Sequence, residues 1–241
     1  MSEDVLLRAA GISVHFGGVA ALDNVDFALR KGELRCVIGP NGAGKTTFFR
    51  CLTGSQSLSS GRILFRDWDI SGAERFRIAR AGIGIKTQIP NLFDGQTAHE
   101  NVWAGLRETK NARARDEAAT AALERVGVAH LAERVVGRMA HGERQLVELA
   151  MVIAPDPELI LLDEPAAGMT KEEAARLAEI VISVNRRHAV IVIEHDMQFI
   201  RAIGRLVTVF HQGRVLVEGD VDHILADPMV RDIYLGRSNA G

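Results

Sequence analysis

Gly39-Pro40-Asn41-Gly42-Ala43-Gly44-Lys45-Thr46-Thr47 follows the apolar run 34–38 and leads directly into Phe48, Phe49 and Leu52. A strand, a glycine-rich turn and a helix are expected in that order. Four residues separate Gly39 from the Gly44-Lys45-Thr46 triplet, a spacing that lets backbone N–H groups converge on phosphate oxygens at a helix N-terminus. Lys45 is then placed to reach the β- and γ-phosphates, and Thr46 to ligate Mg²⁺. A glycine-rich turn that binds nothing is the alternative, and the strand before and helix after it favour a nucleotide cradle.

Composition limits what surrounds this loop. The chain has 241 residues and is 47% hydrophobic, enough for one large domain with a sizeable core. With a formal net charge of −2 and a pI near 6.5, no general basic field attracts nucleic acid, which is not expected as a partner. The start, Met1-Ser2-Glu3-Asp4, is acidic and unlike a signal peptide, and no stretch approaches the roughly 20 uninterrupted apolar residues that span a bilayer. Work at a membrane therefore requires another chain to do the crossing. Cys36 and Cys51 lie in apolar contexts without metal spacing and read as buried, reduced thiols.

Outward from the loop, short apolar stretches at 5–7 and 12–16 and the alternating Val25, Phe27 and Leu29, separated by Gly11 and Gly17-Gly18, predict antiparallel strands. Phe16 either packs in the core or stacks on a base. A helix is expected over 73–81, then a strand through Ile83, Ile85 and Thr87 that stops at Gln88-Ile89-Pro90. From about residue 91 to 154 the pattern turns helical: Thr97-Ala98-His99-Glu100 is a capping box, 107–115 reads as a basic polar connector, and an Ala-rich helix ends at Gly127. Met139-Ala140-His141-Gly142-Glu143-Arg144-Gln145 precedes a further helix and offers a second, weaker anion site.

Leu159-Ile160-Leu161-Leu162 has the composition of a buried parallel strand, and it delivers Asp163 and Glu164 to the sheet edge where ligands bind in open α/β folds. Beside a phosphate loop, Asp163 is suited to hold Mg²⁺ and Glu164 to orient and deprotonate an attacking water; otherwise the pair merely caps a turn. Thr170-Lys171-Glu172-Glu173 is another capping box. Val190-Ile191-Val192-Ile193 ends in Glu194-His195-Asp196, so His195 reaches the same edge, where it is either structural or a hydrogen-bond partner for a γ-phosphate or water.

Taken together these residues resemble the ATP-binding cassette ATPase family across nearly the whole chain. Gly39, Pro40, Asn41, Gly42, Ala43, Gly44, Lys45, Thr46 and Thr47 resemble its Walker A loop, Gln88 its Q-loop, 159–164 its Walker B strand and His195 its switch histidine; Phe16 falls where its adenine-stacking aromatic sits. The resemblance implies an α/β fold, a P-loop NTPase with a RecA-like core (1–90 and 155–241), an antiparallel β subdomain and an inserted helical subdomain (91–154). It implies ATP and Mg²⁺ as cofactors, with Thr46, Gln88 and Asp163 around the metal, Glu164, His195 and Gln88 in hydrolysis, and Met139, Ala140, His141, Gly142 and Glu143 contacting ATP held by a second cassette. The usual signature is Leu-Ser-Gly-Gly-Gln, so Ala140, His141 and Glu143 are departures, and Thr170 stands where an aspartate is usual. A weaker or slower closure is expected.

Within the family, residues 163–170, Glu194-His195-Asp196-Met197 and the closing Tyr234-Leu235-Gly236 are similar to ATPase subunits of importers for branched-chain amino acids, or for urea and short-chain amides. That likeness implies membrane permease subunits and a second ATPase subunit as partners, a solute-binding protein indirectly, and a peripheral position on the cytoplasmic face of the membrane. The alternatives are a non-transport ATPase acting on nucleic acid or the ribosome, and a weakly hydrolysing regulatory cassette.

Overall fold

The computed structural model describes residues 4–106, 109 and 111–235. Strands β1 (Val5–Phe16) and β2 (Val19–Arg30) form a hairpin, β3 (Leu34–Ile38) leaves it for a second sheet, and β4 (Ser60–Phe65) and β5 (Trp68–Asp69) return to give an antiparallel sheet of order β2-β1-β4-β5. The expected break between 5–7 and 12–16 does not occur. Gly11 makes a bulge instead of an end: its N–H donates to Asp26 Oδ1 at 2.9 Å and the pairing with β2 slips between Ala9 and Ile12, so one long strand continues through it.

The second sheet adds β6 (Ile83–Lys86), β7 (Leu159–Asp163), β8 (Ala189–Ile193), β9 (Leu206–His211) and β10 (Arg214–Asp220), in the order β10-β9-β3-β8-β7-β6. All neighbours run parallel except β10, which is antiparallel to β9. Every residue of β3 and β8 is buried, which explains their unbroken apolar composition: each face of this sheet has its own cover. Cys36, Ile38, Leu162 and Val192 face a helical core, whereas Val37, Leu161 and Ile193 face the core shared with the antiparallel sheet. There Phe48 meets Phe27 and Phe210 with ring centroids 5.1 Å away in each case.

Helix α1 (Lys45–Leu52) follows the phosphate loop and α2 (Arg75–Arg80) precedes β6. Between β6 and β7 stand α3 (Ala98–Gly105), α4 (Ala112–Arg125) and α5 (His141–Ile153); α6 (Lys171–Asn185), α7 (Met197–Ile203), α8 (Val221–Ala226) and α9 (Pro228–Leu235) complete the chain. The capping boxes at Thr97 and Thr170 both form. The polar connector is shorter than its composition suggests. Asn111 accepts from the Arg113 and Ala114 N–H groups and starts α4, so Arg113 lies within a helix, paired with Glu117 one turn on at 2.8 Å, and the Arg115 guanidinium lies 4.3 Å over the Trp103 ring. Residues 107, 108 and 110, and Gly236 of the closing Tyr234-Leu235-Gly236, lie outside the described residues.

Candidate nucleotide-binding site

Because β3, β6, β7 and β8 are parallel neighbours, their C-terminal ends share one edge, and that edge collects the loop 39–47, Gln88, Asp163, Glu164 and His195. The loop is shaped by close backbone approach. A Cβ on Gly39, at φ 150°, would overlap the Phe210 carbonyl; one on Gly44, at φ 105°, would lie 2.7 Å from the Ala21 carbonyl oxygen. The Gly213 N–H donates to Ala43 O at 3.0 Å, so the β9–β10 turn braces the loop from beneath. Asn41, Gly42 and Thr46 are exposed, and Thr47 is partly so.

Lys45 is buried, and its Nζ donates to Gly39 O at 2.6 Å and Pro40 O at 2.9 Å. Burial pulls its pKa down, and the charges of Glu164 and Asp163 push back up. Asp163 moves the other way: burial and then the neighbouring Glu164 charge push its carboxyl up to about 6, against Arg50 and Lys86. A carboxyl raised in this way holds a proton in the folded chain that the unfolded chain has released, so its stabilising effect is complete below about pH 4 and is lost as pH rises through 6. Without Mg²⁺ or nucleotide, Asp163→Asn is therefore expected to raise the melting temperature at pH 8 and to lose that advantage by pH 4.5. Thermal melts across this range check it, and an advantage independent of pH contradicts it.

Glu164 adopts left-handed backbone, φ 46°, unusual for a residue with a side chain, and its N–H is held by Ile193 O at 2.9 Å. Its Oε2 accepts from Gln88 Nε2 at 2.8 Å, and its Oε1 lies 3.6 Å from His195 Nδ1. Gln88, Glu164 and His195, which come from three separate strands, thus form one cluster. Glu194 organises the turns beneath it: the buried carboxylate accepts from Ala166 N–H at 3.1 Å, His195 N–H at 2.8 Å and Asp196 N–H at 3.2 Å, tying the turn after β7 to the turn after β8. Sequence reading assigned Glu194 no part. Its position immediately before His195, at the end of a fully apolar strand, was the available signal.

Met139, Ala140, His141, Gly142 and Glu143 lie elsewhere, at the start of α5, and among the described residues no hydrogen bond joins them to the loop 39–47. Ala140 is the N-cap residue but offers no acceptor, so only half a capping box forms, with Glu143 Oε2 accepting the Ala140 N–H at 2.8 Å. Gly142 is packed so tightly that a Cβ would run into the Glu173 carboxylate. His141 Nε2 lies 3.0 Å from Ala167 O, linking α5 to the turn after Glu164. Thr170 serves as N-cap of α6, its Oγ1 accepting from Glu173 N–H at 3.2 Å. Phe16 is 52% exposed, on the hairpin whose Ala21 carbonyl abuts Gly44.

This arrangement has counterparts. Residues 22–167 match the ABC transporter family. The high-affinity branched-chain amino acid transport ATP-binding protein LivG of Escherichia coli K12 is 36% identical, covering 97% of this chain and 98% of its own length. The corresponding protein BraF of Pseudomonas aeruginosa is 33% identical over the same shares. A crystal structure of a nucleotide-free ATP-binding cassette from an ABC transporter superposes with a TM-score of 0.86 at 28% identity, covering 96% of this chain and 99% of that one. Matched end to end in sequence and fold, and carrying its phosphate loop at the shared strand edge, the chain belongs to the ABC transporter family.

Proposed function

We propose that this chain is the ATP-hydrolysing subunit of a membrane importer for branched-chain amino acids. The observation that carries the reading is the Gln88–Glu164–His195 cluster beside the phosphate loop. The loop amides and Lys45 bind the triphosphate, with Phe16 against the adenine. The donors offered to a metal are all oxygens, the Thr46 hydroxyl, the Asp163 carboxylate and the Gln88 amide oxygen left over when Nε2 binds Glu164, a set that fits Mg²⁺. Held by these residues, Mg²⁺ would supply neutralisation of charge developing on the transferred phosphate.

Glu164 accepts the proton of the water whose oxygen bonds to the γ-phosphorus as the bond to ADP breaks, while Gln88 and His195 orient water and phosphate. A second cassette, either another copy of this chain or a different ATPase subunit, presents its stretch equivalent to 139–143 to complete the site. Ala140 brings no hydroxyl to that contact, so closure is weaker than with serine. Residues 91–154 act as the helical subdomain that passes closure to the permease. A groove of about 540 Å³ along β6, lined by Arg75, Phe76, Ile85, Gly105 and Met151, lies beside it. No helix among the described residues is long and apolar enough to cross a membrane, which fits a peripheral subunit held to the cytoplasmic face by the permease. A solute-binding protein on the far side would act only through that permease.

Affinity purification from native membranes tests this. The expected result is a membrane-embedded permease with ATP turnover stimulated in the complex. Recovery of RNA or ribosomes without a permease overturns it, and turnover that stays negligible with the permease bound favours a regulatory cassette.

A further inference from the structure

Two buried charged side chains are given no role in the steps above, although one of them, Lys86, also lowers the Asp163 pKa electrostatically. Lys86, at the end of β6, is fully inaccessible, and Glu148, in the middle of α5, is nearly so; Lys86 Nζ and Glu148 Oε2 lie 3.0 Å apart. The other oxygen, Glu148 Oε1, accepts the Asn91 N–H at 2.9 Å. Lys86 also donates to Gln145 Oε1, one turn earlier on α5, and to its neighbour's carbonyl, Thr87 O, at 3.4 Å. Among the described residues, Glu148 Oε2 has no hydrogen-bond partner beyond this ion pair.

The positions are what matter. Lys86 stands two residues before Gln88 and Asn91 three after it, so a single carboxylate on α5 grips both ends of the segment that carries Gln88. Between the grips the chain is open, with Ile89 79% exposed. Just beyond them, Phe93 is held by the buried Asn101 of α3, which accepts from Phe93 N–H at 2.7 Å and donates to Phe93 O at 3.1 Å. Gln145 extends the chain of contacts toward the start of α5: its Nε2 lies 3.1 Å from His141 Nε2, the nitrogen that also approaches Ala167 O. A buried ion pair is a poor source of stability, since desolvating both charges offsets their attraction and an apolar pair of similar volume often does as well. Its directional value is different: it fixes where two backbone segments lie relative to one another.

We propose that Glu148, with Lys86, is a positioning residue that makes α5 and the Gln88 segment move as one body. The inference rests on the reading of Gln88 and Glu164 as hydrolytic residues. It rests also on the proposal that the first turn of α5 faces the nucleotide of a second cassette, in which case a shift of that helix carries Gln88 toward or away from Glu164. One site is thereby made to sense closure at the other.

The test uses two full-length variants without an unpaired buried charge, Lys86→Met/Glu148→Gln and Lys86→Met/Glu148→Leu. Glutamine still accepts the Asn91 N–H and leucine cannot, so the comparison removes any folding defect common to both. Amide hydrogen exchange at Asn91 is expected to be at least tenfold faster in the leucine variant than in the glutamine variant. Its kcat for ATP is expected to be lower by about tenfold, with KM within threefold. Leucine and glutamine variants that match in both exchange and kcat overturn the proposal, as does a loss confined to KM. A Gln88→Ala variant with the turnover of the parent would instead refute the hydrolytic role of Gln88, while exchange at Asn91 still reports whether Glu148 holds the segment.

Discussion

Lys45→Ala is expected to weaken ATP binding by roughly 100-fold or more. The ammonium group is buried and already directed at the loop, where it donates to Gly39 O and Pro40 O, and burial depresses its pKa. In exchange for those two carbonyls, a triphosphate offers charged oxygens. Each hydrogen bond to a charged group contributes about 1.5–3 kcal/mol, and about 1.4 kcal/mol is a factor of ten in affinity. Two such contacts account for the expected loss. Equilibrium titration with a fluorescent ATP analogue gives the affinity, and a dissociation constant within threefold of the parent contradicts the assignment.

Glu164→Gln is expected to reduce turnover by roughly 10² to 10⁴, the range for losing a positioned general base, while ATP affinity stays within a few-fold. Glutamine retains the length of the side chain and an oxygen for Gln88 Nε2, which now donates to Glu164 Oε2 at 2.8 Å. It cannot take a proton from water. ATP therefore persists in the closed site, and the paired cassettes should remain associated when ATP is present, as sedimentation or size-exclusion chromatography would show. Rapid turnover by this variant would remove Glu164 from the role of base.

How far these residues could be read beforehand depended on whether their pattern was local. The loop 39–47 is a continuous run whose spacing carries its own geometry, and the buried strands ending at Asp163 and Ile193 are recognisable from unbroken apolar composition. The capping boxes at Thr97 and Thr170 are equally local and form as expected. Gly11 misled because glycine marks both strand ends and bulges, and only the pairing partner, through Asp26, decides between them. The start of α4 was obscured by alternating Ala and Arg after Asn111, a composition that reads as solvated chain until the cap is seen. Lys86 and Glu148 were illegible for a different reason: they are 62 residues apart, and a lysine at a strand end or a glutamate on a helix normally faces water. Their meaning exists only once β6 and α5 are packed together.

The resemblance to importer subunits acquires physical content through the edge of the parallel sheet, where, on the function proposed above, one chain supplies the phosphate loop and the base and leaves its α5 start to serve another site. The most direct measurement of that account is solute uptake by vesicles containing the permease complex with ATP on the cassette side, using labelled leucine and, in parallel, labelled urea or acetamide. Accumulation of leucine that requires ATP and disappears with Glu164→Gln is the predicted result. Uptake of urea or acetamide alone would move the proposed solute to the amide class, and a complex that hydrolyses ATP yet accumulates none of these solutes would contradict the account.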